Sequence, residues 1–170
     1  MKTLIKCFML FATLISTSAF AGSVHQHGHG TLNIATEGKL ILLELEVPGA
    51  DLFGFETKAE TDEQKAAVKK ATDILNRPLE LFVLPADAAC KVENVSVKVE
   101  AEKGGEGHTE AHAEYALYCK KPTAIKSIDF KYFSKFSGAA EVKVNVVGSQ
   151  GQKSYTVKKD KPNLDLGGTL

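Results

Sequence analysis

The stretch AHAEYALYCK, residues Ala111–Lys120, alternates between two kinds of side chain. Its even-numbered members begin with His112 and Glu114, which are polar, whereas the odd-numbered members are mostly apolar. A period of two is typical of a β-strand that packs one face on the core and turns the other toward solvent. The stretch therefore predicts a half-buried strand. Its inward set is Ala111, Ala113, Tyr115, Leu117 and Cys119.

The same period of two recurs on both sides of this stretch. Thr31–Ala35 and Leu40–Val47 are separated by the turn sequence Glu37-Gly38-Lys39, and together they predict a β-hairpin. Leu40–Leu43 is apolar at every position, so we expect the second strand to begin with both faces buried. Further strands are predicted at Val92–Glu100, Ile125–Phe130, Glu141–Val147 and Ser154–Lys158.

A single segment has clear helical periodicity. Thr61-Asp62-Glu63-Gln64 has the form of a capping box, in which a hydroxyl and an amide satisfy backbone N–H groups at a helix start. Apolar residues follow at helical spacing, and Asn76-Arg77-Pro78 predicts the end of the helix. Leu79–Leu84 fits either a short strand or a helical turn. We therefore predict an α+β, β-dominated fold, an antiparallel sheet of about seven strands with one main helix packed on it.

The start of the chain has the features of a cleaved signal peptide. Lys2 and Lys6 precede an apolar run at Cys7–Phe20, and Ala19-Phe20-Ala21 offers small residues at the positions that a signal peptidase recognises. We predict that residues 1–21 are removed and that residues 22–170 form a single domain in the periplasm. The apolar run is too short to span a bilayer, and no later stretch reaches the roughly 20 apolar residues required. The mature protein is therefore expected not to span a membrane.

Charge and motifs disfavour two classes of function. Lys plus Arg and Asp plus Glu each number 21, and no basic cluster with interleaved aromatic residues occurs, which argues against a nucleic-acid partner. The sequence contains no HExxH motif, no glycine-rich phosphate loop and no suggestive order of Ser, His and Asp. We therefore predict that the protein is not an enzyme.

Two cysteines, Cys90 and Cys119, remain after the predicted cleavage. In an oxidising compartment such a pair predicts one disulfide. Closing a loop of about 30 residues is expected to stabilise the fold by roughly 3.5 kcal/mol. The alternative is a pair of thiolate metal ligands, although no second Cys or His stands at zinc-finger spacing beside either residue.

The five histidines fall into two groups, which are His25, His27 and His29 near the mature N-terminus and the later pair His108 and His112. Residues two apart on a strand lie roughly 6.7 Å apart on one side, close enough for two imidazoles to share a zinc ion, whereas residues four apart are about 13 Å apart. A pair from the first group and one histidine from the second can converge if the two segments lie on adjacent strands. We predict a zinc site of this kind, which binds one or two ions.

The available ligand types favour zinc among the metals. Neutral imidazoles suit zinc, copper or nickel, whereas calcium and magnesium prefer oxygen cages. Glu110 or a water molecule can fill a remaining position, and spacing alone leaves open whether His108 or His112 is the main third ligand. Copper or nickel capture by the free N-terminus needs a histidine in third place, but cleavage after Ala21 puts His25 fourth.

Three other interpretations of the histidines stay open. They belong to a metal-free His-rich tail, or to a three-His zinc hydrolase with Glu110 or Glu114 as the base, or to an interaction domain of the cell envelope whose histidines are incidental. Turnover that is lost on chelation would identify the hydrolase. A purified protein without bound metal, whose melting does not respond to zinc, would identify the interaction domain.

Several short motifs occur along the chain in a fixed order. They are His27-Gly28-His29-Gly30, Pro48-Gly49-Ala50-Asp51-Leu52, Gly54-Phe55-Glu56, Thr61-Asp62-Glu63-Gln64, and His108-Thr109-Glu110 leading to Tyr115 and Cys119. In this order and spacing, over nearly all of the mature chain, they resemble the ZrgA family of periplasmic zinc-uptake proteins. The resemblance implies a zinc-binding accessory protein of a zinc import system that hands metal toward an inner-membrane transporter.

The resemblance also implies which histidines bind metal. It maps the metal ligands onto His27, His29 and His108, and so selects His108 over His112. The chain departs from the family pattern in two places. Gly104–Gly107 stands where family members often carry a long His-rich stretch, which implies one or two bound ions rather than many. Thr57 stands where the family often has a further histidine, so no ligand is expected there.

Overall fold

Nine strands and four α-helices make up the described part of the chain. The computed structural model describes residues 26–101 and 107–170, so the predicted signal peptide and His25 lie outside the described residues. The strands are β1 (His29–Glu37), β2 (Leu40–Pro48), β3 (Phe82–Val83), β4 (Cys90–Ala101), β5 (Thr109–Cys119), β6 (Ser127–Phe130), β7 (Glu141–Gly148), β8 (Gly151–Lys158) and β9 (Asn163–Asp165). The helices are α1 (Gly49–Phe53), α2 (Asp62–Leu75), α3 (Pro78–Leu81) and α4 (Tyr132–Lys135), with 3₁₀ turns at Ala86–Ala88 and Pro122–Ala124.

The main sheet is mixed and six-stranded, with the order β4-β5-β2-β1-β7-β8. β1 and β2 form the predicted antiparallel hairpin, β5 pairs antiparallel with the other edge of β2, and β1 runs parallel to β7. The prediction of an antiparallel sheet of about seven strands is therefore wrong in strand number and in the β1–β7 pairing. Side-chain alternation indicates which residues share a face, but it does not identify the neighbouring strand. The strands β3, β6 and β9 form a separate small sheet.

The two faces of the main sheet differ in burial. The predicted inward set of β5, from Ala111 to Cys119, is buried. In β2, Ile41 and Leu43 are buried, but Leu40 and Leu42 are 39% and 44% exposed. The expectation that β2 begins with both faces buried is wrong, because at these positions the core packs against one face only. We call the face that carries the even-numbered residues of β2 and β5 the outer face.

The predicted helix is α2, and its capping box is present. The Gln64 N–H donates to Thr61 Oγ1 at 3.2 Å, and the Thr61 N–H donates to Gln64 Oε1 at 3.1 Å. Both alternatives for Leu79–Leu84 occur in succession, because the helical turn α3 leads directly into the short strand β3. The short helix α1, which the sequence did not predict, turns the chain at the end of β2. No helix in the described ranges is long and apolar enough to cross a membrane.

The predicted disulfide joins Cys90 to Cys119. The two residues face each other in register where β4 begins and β5 ends. Their sulfurs are bonded to each other, so the alternative of two thiolate metal ligands does not apply. The disulfide lies at the end of β5 opposite to His108, which immediately precedes the strand.

Candidate metal site

The histidines of both groups gather at one end of the main sheet. β1 and β5 are both antiparallel to β2, with Thr31 opposite Glu46 and Glu110 opposite Pro48, so both begin where β2 ends. However, β2 lies between them. The prediction that the histidines come from adjacent strands is therefore wrong, and the two groups are separated by two strand spacings, roughly 9–10 Å.

Glu56 bridges this separation. After β2, helix α1 turns the chain, and Glu56 follows it at the same end of the sheet. One carboxylate oxygen of Glu56 lies 2.5 Å from His27 Nε2, and the other lies 2.6 Å from His108 Nδ1. The Thr109 N–H donates to the Glu56 backbone carbonyl at 2.7 Å, which holds this residue against the start of β5. One histidine from each sequence group thus contacts the same carboxylate.

The cluster of His27, Glu56 and His108 is accessible from solvent. The side chains are 63%, 33% and 39% exposed, respectively. They line a cavity of about 20 Å³ together with Pro48, Ala50, Thr109 and Glu110. A volume of this size has room for roughly one water molecule or ion. Imidazole nitrogens and carboxylate oxygens are ligands that zinc accepts in proteins.

The remaining histidines contact other carboxylates. His29 Nδ1 lies 3.6 Å from Glu141 Oε1 on the neighbouring strand β7. On the outer face, His112 Nε2 lies 3.1 Å from Glu110 Oε2, and His112 Nδ1 lies 3.8 Å from Glu46 Oε1. Neither ring shares Glu56 with the cluster, and their roles as ligands remain predictions. A groove of about 380 Å³ beside His112 is lined by further acidic side chains, namely Glu44, Glu100 and Glu114.

The buried side chain of Asp51 anchors the turn that carries His27. The Gly28 N–H donates to Asp51 Oδ1 at 2.8 Å. Asp51 is only 5% exposed, and its Oδ2 has no hydrogen-bond partner among the described residues. Burial raises the pKa of Asp51 above its usual value, and the hydrogen bond from Gly28 and the nearby His27 oppose that rise.

Sequence reasoning missed Glu56 and Asp51. Both residues stand within the motifs on which the family resemblance rests, but neither was assigned a role. A signal was present for Glu56, because a carboxylate in the connection that leaves β2 lies near the start of any strand that pairs antiparallel with β2. No such signal marks Asp51, because its burial depends on how α1 packs.

In the cluster of His27, Glu56 and His108, each imidazole ring contacts the carboxylate of Glu56. Within residues 26–101 and 107–170, no three His, Cys, Asp or Glu side chains are placed so that together they could hold one metal ion. In the cluster, each of the two imidazoles faces a different oxygen of Glu56, so the carboxylate occupies the space between the rings.

Comparison with known proteins identifies the family. Residues 24–166 match the family model described as ZrgA family zinc uptake protein. The matched range contains all five histidines, Glu56, Asp51 and both disulfide cysteines. No curated relative matches the chain. Since the match covers most of the sequence, the chain belongs to the ZrgA family of zinc uptake proteins.

Proposed function

We propose that the protein is a periplasmic zinc-binding accessory protein of a zinc import system, and that Zn²⁺ is its cargo. The observation that carries the proposal is the contact of Glu56 with both His27 and His108. It joins two segments that are far apart in the sequence through ligand types that suit zinc. Membership of a zinc-uptake family supports the same role. Binding and releasing an ion requires no covalent bond to be made or broken, and we propose no catalysis.

In this proposal His27, His108 and Glu56 bind the ion. A metal needs the lone pair of a neutral imidazole, so an ion would be held by the ring nitrogens that face Glu56 in the structure. Glu56, which lies between the two rings in the structure, would supply a carboxylate oxygen to the same ion. Glu110, which lines the same cavity, or a water molecule fills the fourth position of a four-coordinate site. His29, His112 and His25 are left as candidate ligands for a second ion.

The accessibility of the cluster supports transport rather than a structural role for the metal. Structural zinc sites are closed, four-coordinate and inaccessible to exchange. Here His27 is 63% exposed, and the cluster lies at the rim of the sheet rather than in the core. An ion bound there can be reached by a competing ligand from a partner. We therefore propose that the partner is a component of a zinc transporter that takes the ion from this site.

Isothermal titration of the metal-free protein with Zn²⁺ tests the site. Partners that only hold a ligand in place are worth about 10–100-fold in metal affinity, so the loss of a ligand itself is expected to weaken binding by at least about 10-fold. We expect this result for His27→Ala and for His108→Ala. Asn33→Ala is the control, because this side chain is hydrogen-bonded to Glu44 and Asn145 on the outer face and contacts no residue of the cluster. Undiminished affinity in both His27→Ala and His108→Ala would remove the proposed site.

A further inference from the structure

The turn between His27 and His29 is fixed at its central residue. The Gly28 N–H donates to Asp51 Oδ1, and the Gly28 carbonyl accepts from the N–H groups of Ala140 and Glu141 at 2.9 and 2.8 Å. Gly28 has φ +80°, a conformation that L side chains rarely adopt. Three elements thus meet at this one glycine: the N-terminal segment, helix α1 through Asp51, and the start of β7.

Asp51 itself is held in place by close packing. A Cβ atom at Gly138 would lie 2.8 Å from both the Cα and the backbone oxygen of Asp51, so only glycine allows the two backbones to approach this closely. Asp51 is therefore enclosed between Gly138 on one side and the turn at Gly28 on the other. This close approach fixes the backbone from which the carboxylate reaches the Gly28 N–H.

This arrangement is unfavourable for stability alone. Asp51 is buried, and its Oδ2 has no hydrogen-bond partner in the parts of the chain that the structure describes. A buried carboxyl oxygen without a partner destabilises a fold, because the desolvation of the group is not compensated. An apolar side chain at this position would satisfy the packing at less cost. The presence of a hydrogen-bond acceptor here therefore calls for a reason beyond stability.

We propose that Asp51 is a positioning residue for zinc binding that acts through Gly28 on His27. The inference rests on the proposed function above. The Gly28 N–H and the His27 carbonyl belong to one planar peptide unit, so a hydrogen bond that fixes the N–H also fixes the plane that follows the His27 Cα. That plane sets the direction in which the exposed His27 ring projects toward Glu56 and His108. Without the hydrogen bond, the ring samples orientations away from the cluster.

Asp51→Ala and Asp51→Asn test the inference when they are titrated with Zn²⁺ in the full mature chain, below the unfolding transition. Asp51→Ala removes the acceptor and is expected to weaken zinc binding by about 10-fold, the lower end of the range for residues that orient a ligand. Asp51→Asn keeps an acceptor oxygen for the Gly28 N–H and is expected to bind zinc within about 3-fold of the wild-type protein. If Asp51→Ala does not fold, Asp51→Leu also lacks an acceptor and fills more of the buried space.

A double-mutant cycle separates positioning from a general loss of structure. If Asp51 acts through His27, then Asp51→Ala causes no further loss of zinc affinity in the His27→Ala background. Thr169→Ala is the matched control, because it also removes a buried, hydrogen-bonded polar group but lies far along the chain from the turn. We expect it to lower the melting temperature and to leave zinc affinity unchanged.

The outcomes distinguish the two proposals. Additive losses from Asp51→Ala and His27→Ala, or wild-type affinity in Asp51→Ala, would overturn the positioning role and leave the zinc site intact. Wild-type affinity in His27→Ala itself would overturn the proposed site, and the role of Asp51 with it.

Discussion

Replacement of Glu56 by glutamine is the most informative single change, because its effects on the stability of the metal-free protein and on zinc affinity can be measured separately. Glu56→Gln keeps the size of the side chain and removes its charge. The contacts with His27 and His108 involve side chains that are 33% to 63% exposed, so solvent screens them. Exposed ion pairs contribute up to about 1 kcal/mol each, so the metal-free variant is expected to lose at most about 2 kcal/mol of unfolding free energy.

The expected loss of zinc affinity is of similar size and can be measured separately from that change. If the carboxylate is a ligand, its neutralisation weakens binding by about 10–100-fold, which corresponds to roughly 1.4–2.7 kcal/mol. Calorimetric melting of both proteins with and without Zn²⁺ measures the two effects together. At a free zinc concentration of 100 times the wild-type Kd, the ion stabilises the wild-type protein by about 2.7 kcal/mol, and a variant that binds 10-fold more weakly by about 1.4 kcal/mol.

Glu141→Gln is the matched control for this experiment. Glu141 also stands beside a histidine, His29, at 3.6 Å, but it lies on β7 outside the cluster of His27, Glu56 and His108. We expect Glu141→Gln to retain the zinc-induced stabilisation of the wild-type protein. The reasoning is refuted if Glu56→Gln shows the full stabilisation by zinc, or if the two variants lose it equally.

Three further predictions concern pH and the disulfide. Zinc affinity, measured by titration between pH 8 and 5, should fall below about pH 6, because protonated imidazole cannot bind metal. Asp51→Asn should raise the unfolding free energy in urea near pH 7 and lose this advantage toward acid. The reason is that burial raises the folded-state pKa of Asp51 above its ordinary value of 3.8. Protonation of this carboxyl therefore stabilises the folded wild-type protein below pH 3.8, and that stabilisation is lost as the pH rises through the raised pKa. Replacement of Cys90 and Cys119 by alanine should lower the unfolding free energy by roughly 3.5 kcal/mol but leave zinc affinity unchanged, because the disulfide lies at the other end of β5 from His108.

Local patterns in the sequence were sufficient to predict most individual elements. The alternation in Ala111–Cys119 correctly gave the buried face of β5, and Thr61–Gln64 correctly gave the start of α2, because both signals depend on residues a few positions apart. Pairing depends on distant parts of the chain. The parallel pairing of β1 with β7 depends on which strand lies beside β1 in the sheet. The exposure of Leu40 and Leu42 depends on which layer covers each face of the sheet. No short window of sequence contains either piece of information.

The candidate site was predicted in part. The two groups of histidines, together with the family resemblance, predicted that His27 and His108 belong to one site. In the structure both rings contact Glu56, and their role as metal ligands stays a prediction. Glu56 was one of 21 acidic residues, and its place in the connection after β2 was the one signal that set it near the start of a strand paired with β2. Its position follows from α1, whose turn brings the chain back across the end of β2.

Strand register links the fold to the site. His108 reaches Glu56 because β5 is aligned with β2 so that Ala111 lies opposite Val47. A shift of β5 by two residues would keep its apolar side chains buried but would move His108 roughly 6.7 Å along the strand, beyond contact with the carboxylate. The alternation of apolar and polar side chains therefore excludes shifts of β5 by an odd number of residues but allows shifts by an even number. The bond between Cys90 and Cys119 excludes a shift of β5 relative to β4. The β2–β5 register rests instead on side-chain packing and on the hydrogen bond from the Thr109 N–H to the Glu56 carbonyl, so the residue that bridges the histidines also helps to align the strand that delivers one of them.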